Sequence, residues 1–339
     1  MRRGRRSGLF TMVAVHSTVR GPALGGCRMW RYDDARAAVR DVLRLSGAMT
    51  SKAAAAGLPL GGGKGVILVP SDQGVPAGAL REAVLRDFGD TVEALRGTYL
   101  TAEDVGTSAD DMAVIARETQ YVTGLAVEHG GSGDPSPWTA LGVQEAIHVC
   151  CEHALGSREL AGRTVAIAGL GSVGEPLAQA CAQAGAHLLV ADVDDRRRAA
   201  AERLGARWVT PGEALEAEAD VYAPCALGGV LDHDTAPRAG ARVIVGAANN
   251  QLADESVADV LADSGILWGP DFVANAGGII NIGVELEPEG YAPERARERV
   301  RGVGETMRLV LSDAAARGVT PLAAARALAE RRLAEAVAV

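Results

Sequence analysis

The stretch TVAIAGLGSVG, residues 164–174, followed by HLLVADVD, residues 187–194, decides the fold. A short apolar run reads as a buried strand and breaks into Gly169, Gly171 and Gly174. A second apolar strand then ends on Asp192, about 20 residues beyond the glycines, the spacing of a dinucleotide fingerprint. In that order of strand, glycine turn, helix, strand and acid, the glycines and the intervening Ser172 and Val173 bring backbone N–H groups and a helix N-terminus to a pyrophosphate. Asp192 is placed to accept hydrogen bonds from the adenosine ribose. A carboxylate there repels a 2′-phosphate, so NAD is expected over NADP, with Arg196, Arg197 and Arg198 pulling the other way. Two further strands, ADVYAPCA (219–226) and ARVIVGAA (241–248), extend the sheet. Each ends in small or polar residues at the edge where open α/β sheets bind ligands. Cys225 and Ala226 stand at the first edge, Asn249 and Asn250 at the second. The paired asparagines are either a turn or a set of amides facing a nicotinamide.

The fingerprint starts well inside a chain of 339 residues, a length that suits two domains. The densest Gly, Ser and Pro cluster, GGSGDPSP at 130–137, marks the boundary. Before it, the patterns predict strands near 9–16, 66–69 and 99–102. Helices are predicted from a cap around Asp33, over about 77–95, and from Ser108 to about 120. The alternation makes the first domain, residues 1–133, α/β. A helix at 138–155 opens the Rossmann-type second domain, residues 134–319. Long amphipathic helices at 293–317 and 321–338 follow, the last, at about 320–339, returning to the first domain.

Composition removes several functions. A net charge of −9 with 4% aromatic residues argues against nucleic acid or an anionic membrane as partner. No run approaches the roughly 18 apolar residues of a membrane span. Arg2, Arg3, Arg5 and Arg6 precede an apolar run that His16 and Arg20 end too early for an export signal. Five cysteines without metal-ligand spacing fit a reducing cytoplasm, and no metal is expected.

The segment MTSKAAAAGLPLGGGK, residues 49–64, holds the chemistry. Lys52 and Lys64 have almost nothing but Ala, Leu, Gly and Pro between them. Two cations in apolar surroundings stay close only if an anion neutralises one, or if one loses its proton through burial and like charge.

Six blocks in order, GPALGGCRMW, MTSKAAAAGLPLGGGK, TAEDVGTSADDM, AGLGSVG, AANN and DFVANAGG, resemble the glutamate, leucine, phenylalanine and valine dehydrogenase family, from about Gly8 to the C-terminus. The resemblance implies a substrate-binding, catalytic and oligomerisation domain and an NAD-binding domain separated by a catalytic cleft. It makes Lys52 the ligand of the substrate carboxylate, Lys64 the catalytic base and Asp104 the carboxylate that handles the amino group. Gly25 and Gly26 match the glycine pair at the substrate carboxylate; Thr139, Asn249 and Asn275 match positions around nicotinamide and substrate. Family members carry a further segment ahead of the strand that opens this chain, where MRRGRR stands here. A homo-oligomer, dimer or higher, is expected without carrying over the family's even-numbered assembly.

The reaction implied is reversible oxidative deamination of an L-amino acid to a 2-oxo acid and ammonia. A neutral Lys64, made so by burial and by Lys52 nearby, would take a proton from the attacking water. Leu24 stands where glutamate enzymes have a lysine for the side-chain carboxylate, and an apolar residue there would leave that carboxylate unpaired. With Ala102, Ile279 and Ile282 it would form an apolar pocket for leucine, valine or isoleucine. The alternatives are an aromatic substrate, a related secondary-metabolic condensation of a keto acid with an amine, and a nucleotide-binding sensor without turnover.

Overall fold

Side chains alternate faces along a strand, and the first sheet is built on that alternation. In the computed structural model, which describes residues 1–337, its strands are β1 (Arg2–Arg3), β2 (Phe10–Ser17), β3 (Ala23–Tyr32), β4 (Gly61–Pro70) and β5 (Tyr99–Glu103), in the order β1-β2-β4-β3-β5. The pairs β1–β2 and β2–β4 are antiparallel, and β3 runs parallel to both β4 and β5. On β4, Val66 and Leu68 join Met12, Ala14, Ala38 and Val42 beneath α1 (Ala35–Ala55). Ile67 and Val69 join Met29, Phe88 and Ile115 on the opposite face, under α2 (Gly78–Glu93) and α3 (Ala109–Ile115). Even positions of β4, Lys64 included, therefore face α1.

Three local readings change. The sequence suggests no strand over 23–32, because ALGG carries neither alternation nor β-formers, yet β3 lies inside the sheet with a partner on each side. It starts β4 at 66, whereas the strand begins at Gly61. Glycine is depleted in strands, but here backbone and rings approach too closely for anything larger. A Cβ at Gly61 would lie 1.9 Å from the Ser17 carbonyl oxygen, at Gly63 2.7 Å from the Tyr99 ring and at Gly65 2.5 Å from the Phe88 ring. Helix α3 has the expected Ser108 cap, in a capping box with Asp111, but ends at Ile115 rather than near 120. Helix α1 takes Asp34 as its cap, whose side chain accepts from the Ala37 N–H at 2.7 Å.

Helix α4 (Ser136–Leu155) leads into a six-stranded sheet with β6 (Thr164–Ala168), β7 (His187–Ala191), β8 (Arg207–Trp208), β9 (Val221–Pro224), β10 (Val243–Ile244) and β11 (Leu267–Trp268). The order is β11-β10-β9-β6-β7-β8 and every pairing is parallel. Helix α5 (Gly174–Gln183) joins β6 to β7. The sheet is closed on one face by Tyr222, Leu231, Ile244, Leu261 and Trp268. The chain forms two compact units: Met1–Asp134 with Ile282–Pro293 and the chain from Ala329 on, and Pro135–Asn281 with Glu294–Leu328. The last helix is Pro321–Val337; the remainder of the helix expected at about 320–339, Ala338 and Val339, lies outside the described residues.

The start of the chain is tied down by one buried acid. Asp87 of α2 accepts from the backbone N–H groups of Arg5 and Arg6 at 3.1 Å and Ser7 at 2.8 Å, and from the Ser7 hydroxyl at 2.7 Å. Arg6 pairs with Asp87 at 3.2 Å, and the Asp87 side chain is 1% exposed. Burial pushes this carboxyl up, but the Ser7 and Arg6 hydrogen bonds outweigh burial and hold it below the ordinary value of 3.8. Asp87→Ala is expected to lower the unfolding free energy by about 1–3 kcal/mol, the scale of orphaned buried donors. Because the folded-state pKa is depressed, that stabilisation is present above the ordinary carboxylate pKa and fades as pH falls through the folded one. Denaturant melts of both proteins at about pH 7 and about pH 2 should show the gap closing in acid; an equal gap at both would remove the ionised carboxylate from the explanation.

Candidate active site and cofactor site

Strand register brings three charged residues together on the α1 face of the first unit. Arg28 of β3 pairs with Val66 of β4, and Cys27 pairs with Glu103 of β5, so the next residues, Arg28 and Asp104, stand side by side. Gly26 makes room: a Cβ there would lie 2.7 Å from the Asp104 Cβ and 2.4 Å from the Glu103 carbonyl oxygen. The Asp104 carboxylate is then divided between two cations. Its Oδ1 lies 2.7 Å from Lys64 Nζ, and its Oδ2 accepts from Arg28 Nε at 2.9 Å. Lys64 is 4% exposed. Arg28 also donates to Asp41 of α1 at 3.1 Å, and Asp41 accepts from the Tyr32 hydroxyl at 2.8 Å and Arg44 at 2.9 Å.

The loop beyond Asp104 is pinned separately. The Asp104 N–H donates to the Thr107 hydroxyl at 2.9 Å, which donates to the Cys27 carbonyl at 2.8 Å. Arg81 forks onto Asp111 at 2.7 and 2.6 Å and reaches the Gly106 carbonyl at 2.9 Å.

Burial is the largest influence on Lys64 and drives its ammonium below the ordinary 10.5; Asp104 opposes this and Arg28 adds to it. At Asp104 burial works upward, yet Lys64 and then Arg28 hold the carboxyl below its ordinary range. Burial, with Asp134 second, raises neighbouring Glu103. The sequence reading brings Lys64 and Asp104 to one site and names Lys52, in the last turn of α1, as the second cation. It passes over Arg28, whose one signal is a charge two residues past the glycine pair in an otherwise apolar block.

Of the expected pocket residues, Leu24 and Ala102 share the face of Gly26 and Arg28 and are 1% and 4% exposed. The Tyr99 hydroxyl, buried beneath them, donates to the Gly25 carbonyl oxygen. Ile279 and Ile282 are both buried; the first belongs to the second unit and the second to the first.

In the second unit each glycine of the turn has its own reason. Gly169 has φ +107°, and a Cβ on it would lie 2.7 Å from the Ala226 nitrogen; on Gly174 it would lie 1.8 Å from the Gly169 carbonyl oxygen. At Gly171 a Cβ would meet nothing within 4 Å, which leaves that backbone open on its outer side. Ser172 and Val173 lead directly into α5. Asp192 is held from both sides: its Oδ2 accepts from the Leu170 N–H at 2.7 Å and its Oδ1 from the Asp194 N–H at 2.9 Å. Arg196, Arg197 and Arg198, the possible phosphate ligands, are engaged with Asp194, Glu175 and Asp195 respectively. Arg198 also lies over the Trp208 ring.

Beside the turn, an apolar cavity of about 370 Å³ is lined by Gly169, Asp192, Val193, Tyr222, Ala226 and Leu227, among others. Val193 is 94% and Leu227 84% exposed, a placement suited to the two faces of a flat base. Cys225 is packed against Gly174, and burial pushes its thiol up to about 11. At the end of β10, the Asn275 Nδ2 donates to the Ala247 carbonyl at 3.0 Å and to Asn249 Oδ1 at 2.9 Å. Its own Oδ1 is buried with no partner among the described residues, an acceptor left for a ligand amide. Thr139 donates to the Pro135 carbonyl at 3.0 Å and packs against Gly278. The turn, the fixed acid, the apolar cavity and the orphaned acceptor fit a nicotinamide dinucleotide. Among the described residues no cluster of His, Cys, Asp and Glu could hold a metal ion.

Such a turn at the head of a parallel sheet defines a nucleotide-binding dehydrogenase domain, and residues 144–226 match the D-isomer specific 2-hydroxyacid dehydrogenase, NAD binding domain. Residues 1–121 match the Glu/Leu/Phe/Val dehydrogenase dimerisation domain and residues 190–339 the Glutamate/Leucine/Phenylalanine/Valine dehydrogenase model. A leucine dehydrogenase of Bacillus cereus is 44% identical over 97% of this chain and 88% of its own. A valine dehydrogenase of Streptomyces virginiae is 43% identical over 98% and 92%. Among solved structures, an L-tryptophan dehydrogenase from Nostoc punctiforme superposes with a TM-score of 0.83 at 38% identity, over 98% of this chain and 94% of that one. The chain belongs to the glutamate, leucine, phenylalanine and valine dehydrogenase family.

With its arginines occupied, the second unit should bind NADH more tightly than NADPH. Asp192→Ala removes the like charge that a 2′-phosphate would meet and is expected to narrow the ratio of dissociation constants about tenfold or more. Fluorescence titration of the two nucleotides measures this directly; an unchanged ratio would take Asp192 out of the selection.

Proposed function

We propose that this protein catalyses the reversible NAD-dependent oxidative deamination of an apolar, branched-chain L-amino acid to its 2-oxo acid and ammonia. The observation that carries the proposal is the buried pair of Lys64 and Asp104, 2.7 Å apart, in a chain whose other unit is built for NAD. Bound NAD supplies the acceptor for the hydride on the substrate α-carbon, which is left as an iminium. Neutral Lys64 takes a proton from the water that forms the new C–O bond. Asp104, against Lys64, passes a proton to the amino nitrogen of the resulting carbinolamine. The C–N bond breaks and ammonia departs as the hydroxyl oxygen forms the C=O bond of the 2-oxo acid and its proton passes to Lys64 or Asp104. Lys52 holds the substrate carboxylate with the backbone at Gly25 and Gly26, while Thr139, Asn249 and Asn275 serve the nicotinamide.

The buried apolar side chains of Leu24 and Ala102, on the Arg28 face of the first unit, support the branched-chain assignment, since a side-chain carboxylate against them would be desolvated without a partner; Ile279 and Ile282 belong to the same proposal. The leucine and valine dehydrogenases among the relatives agree. An aromatic substrate is the second reading, favoured by the similarity to the L-tryptophan dehydrogenase. A homo-oligomer built on the first unit belongs to the same proposal, supported by the match to a dimerisation domain and by the exposed apolar side chains of Trp30, Val39 and Leu43. A cytoplasmic setting is supported by the five free cysteines. No described helix is long and apolar enough to cross a membrane.

Ammonium-dependent oxidation of NADH across a panel of 2-oxo acids tests the reaction; oxidation that needs no ammonium would redirect the assignment to another chemistry. Lys64→Ala should leave NADH binding nearly intact while turnover falls at least about a hundredfold, the scale of a lost general base. In the wild type, deamination should rise with pH as Lys64 deprotonates below the ordinary lysine value of 10.5. Valine, leucine and isoleucine should be oxidised well, phenylalanine poorly and glutamate hardly at all. Ile282→Ala should move preference toward larger side chains by about tenfold, the effect of about 1–3 kcal/mol per methylene. Wild-type protein that oxidises phenylalanine faster than valine would favour the aromatic reading.

A further inference from the structure

A carboxylate 2.7 Å from a buried amine creates a difficulty for a general base. An isolated Lys–Asp ion pair holds its proton, because the anion stabilises the ammonium most strongly where water is absent. Yet the chemistry proposed for Lys64 requires that proton to leave. The charged network around Asp104 contains one further cation positioned to resolve this. Arg28 takes the second oxygen of the same carboxylate at 2.9 Å through Nε, so Lys64 does not have the whole anionic charge to itself. The guanidinium is fixed from behind by Asp41 at 3.1 Å, itself held by Tyr32 and Arg44.

We propose that Arg28 is a positioning residue for the reaction: anchored on Asp41, its guanidinium holds one oxygen of Asp104, which fixes the other oxygen on Lys64 and leaves that amine able to release its proton. This rests on the roles given above to Lys64 and Asp104. Arginine suits the task because its fork can engage Asp104 and Asp41 together and stays charged at any working pH. The titratable and charged groups on the elements packed around the pair are Arg28 and the Cys27 thiol of β3, Glu103 beside Asp104, Tyr99 of β5, Asp41 and Lys52 of α1, and His16 of β2, which bonds Thr50 of α1. Burial drives the Cys27 thiol and the Tyr99 hydroxyl well above their ordinary values. Both are therefore neutral at working pH and Glu103 is acidic; of the cations, Arg28 is the one that shares the Asp104 carboxylate with Lys64, and its positive charge opposes protonation of that amine. Burial acts on Lys64 in the same direction and Asp104 in the opposite one.

Two readouts test the proposal on the full-length protein. The first is the pH profile of kcat/KM for deamination. Arg28→Gln keeps a planar hydrogen-bonding end without the charge and should move the rising limb to higher pH by about one unit, the effect of one nearby charge, equivalent to about a tenfold loss on the limb at fixed pH. Arg28→Lys restores a cation without the fork and should bring the limb most of the way back while kcat remains below wild type. A purely structural role predicts that both variants lose rate with the limb unmoved. The second readout needs no turnover: the pH dependence of Lys64 acylation by acetic anhydride, read by peptide mass mapping, should shift upward by the same unit in Arg28→Gln. If the acylation curve moves but the wild type shows no ammonium-dependent NADH oxidation, the functional assignment fails while the coupling of Arg28 to Lys64 stands. An acylation curve unchanged in Arg28→Gln, with a thermal melt showing the variant folded, overturns the proposal; if that variant does not fold, an Arg28→Lys curve displaced as far as the removal of the charge would displace it overturns it equally.

Discussion

An ammonium taken out of water is tolerated only where an anion meets it, and the first unit is arranged around that requirement at Lys64. The amine is 4% exposed and sits 2.7 Å from Asp104. The carboxylate is itself a buried charge that one cation would satisfy only in part. Arg28 completes it, Asp41 balances Arg28, and Tyr32 and Arg44 close the remaining valences of Asp41. Each charge answers the desolvation of the one before it, so the chain runs outward from a buried strand to the more exposed surface of α1. Removing a member leaves its neighbour buried and unpaired, which is more damaging than the net worth of any single pair.

That arrangement depends on backbones lying closer together than ordinary side chains allow. Gly62 lies against the Thr50 backbone of α1, and Gly63 and Gly65 lie under the rings of Tyr99 and Phe88. With a Cβ at Gly62 helix α1 could not settle on β4, and Lys64 would lose the cover that dries it; at Gly63 and Gly65 a Cβ would instead collide with the core of the opposite face. Gly26 does the same for Asp104 from the neighbouring strand. The glycine-rich strand is therefore a packing device first. Its conformational looseness in isolation is offset by contacts on both faces, and the chemistry of the buried amine follows from that closeness.

The second unit solves a different problem with similar means. It leaves one glycine open on its outer side and closes two others against the backbone, so the turn is held where it meets protein and bare on its outer side. Asp192 is held by two N–H groups, and the three arginines that follow are all engaged with acids. The head of this sheet thus carries one fixed negative charge, and the positive ones that follow it are paired with acids.

Much of this was legible in the residues alone. The strand, glycine turn and acid at 164–192 carry their own context, because phosphate binding at a helix N-terminus needs local geometry only. The lysines of 49–64 stood out because charge is rare in so apolar a run. Asp104 came from its block and not from any periodicity. The tertiary structure decided what depends on partners remote in sequence. Strand β3 was invisible because its glycines are tolerated only between β4 and β5. Edge strands β8 and β11 are two residues long and exist by pairing. Arg28 carried no pattern of its own; its meaning comes from register with Val66 on one side and from the step beyond Glu103 on the other. Local signals identify a nucleotide turn, but which charges share a carboxylate is settled only when strands from distant parts of the chain are laid side by side.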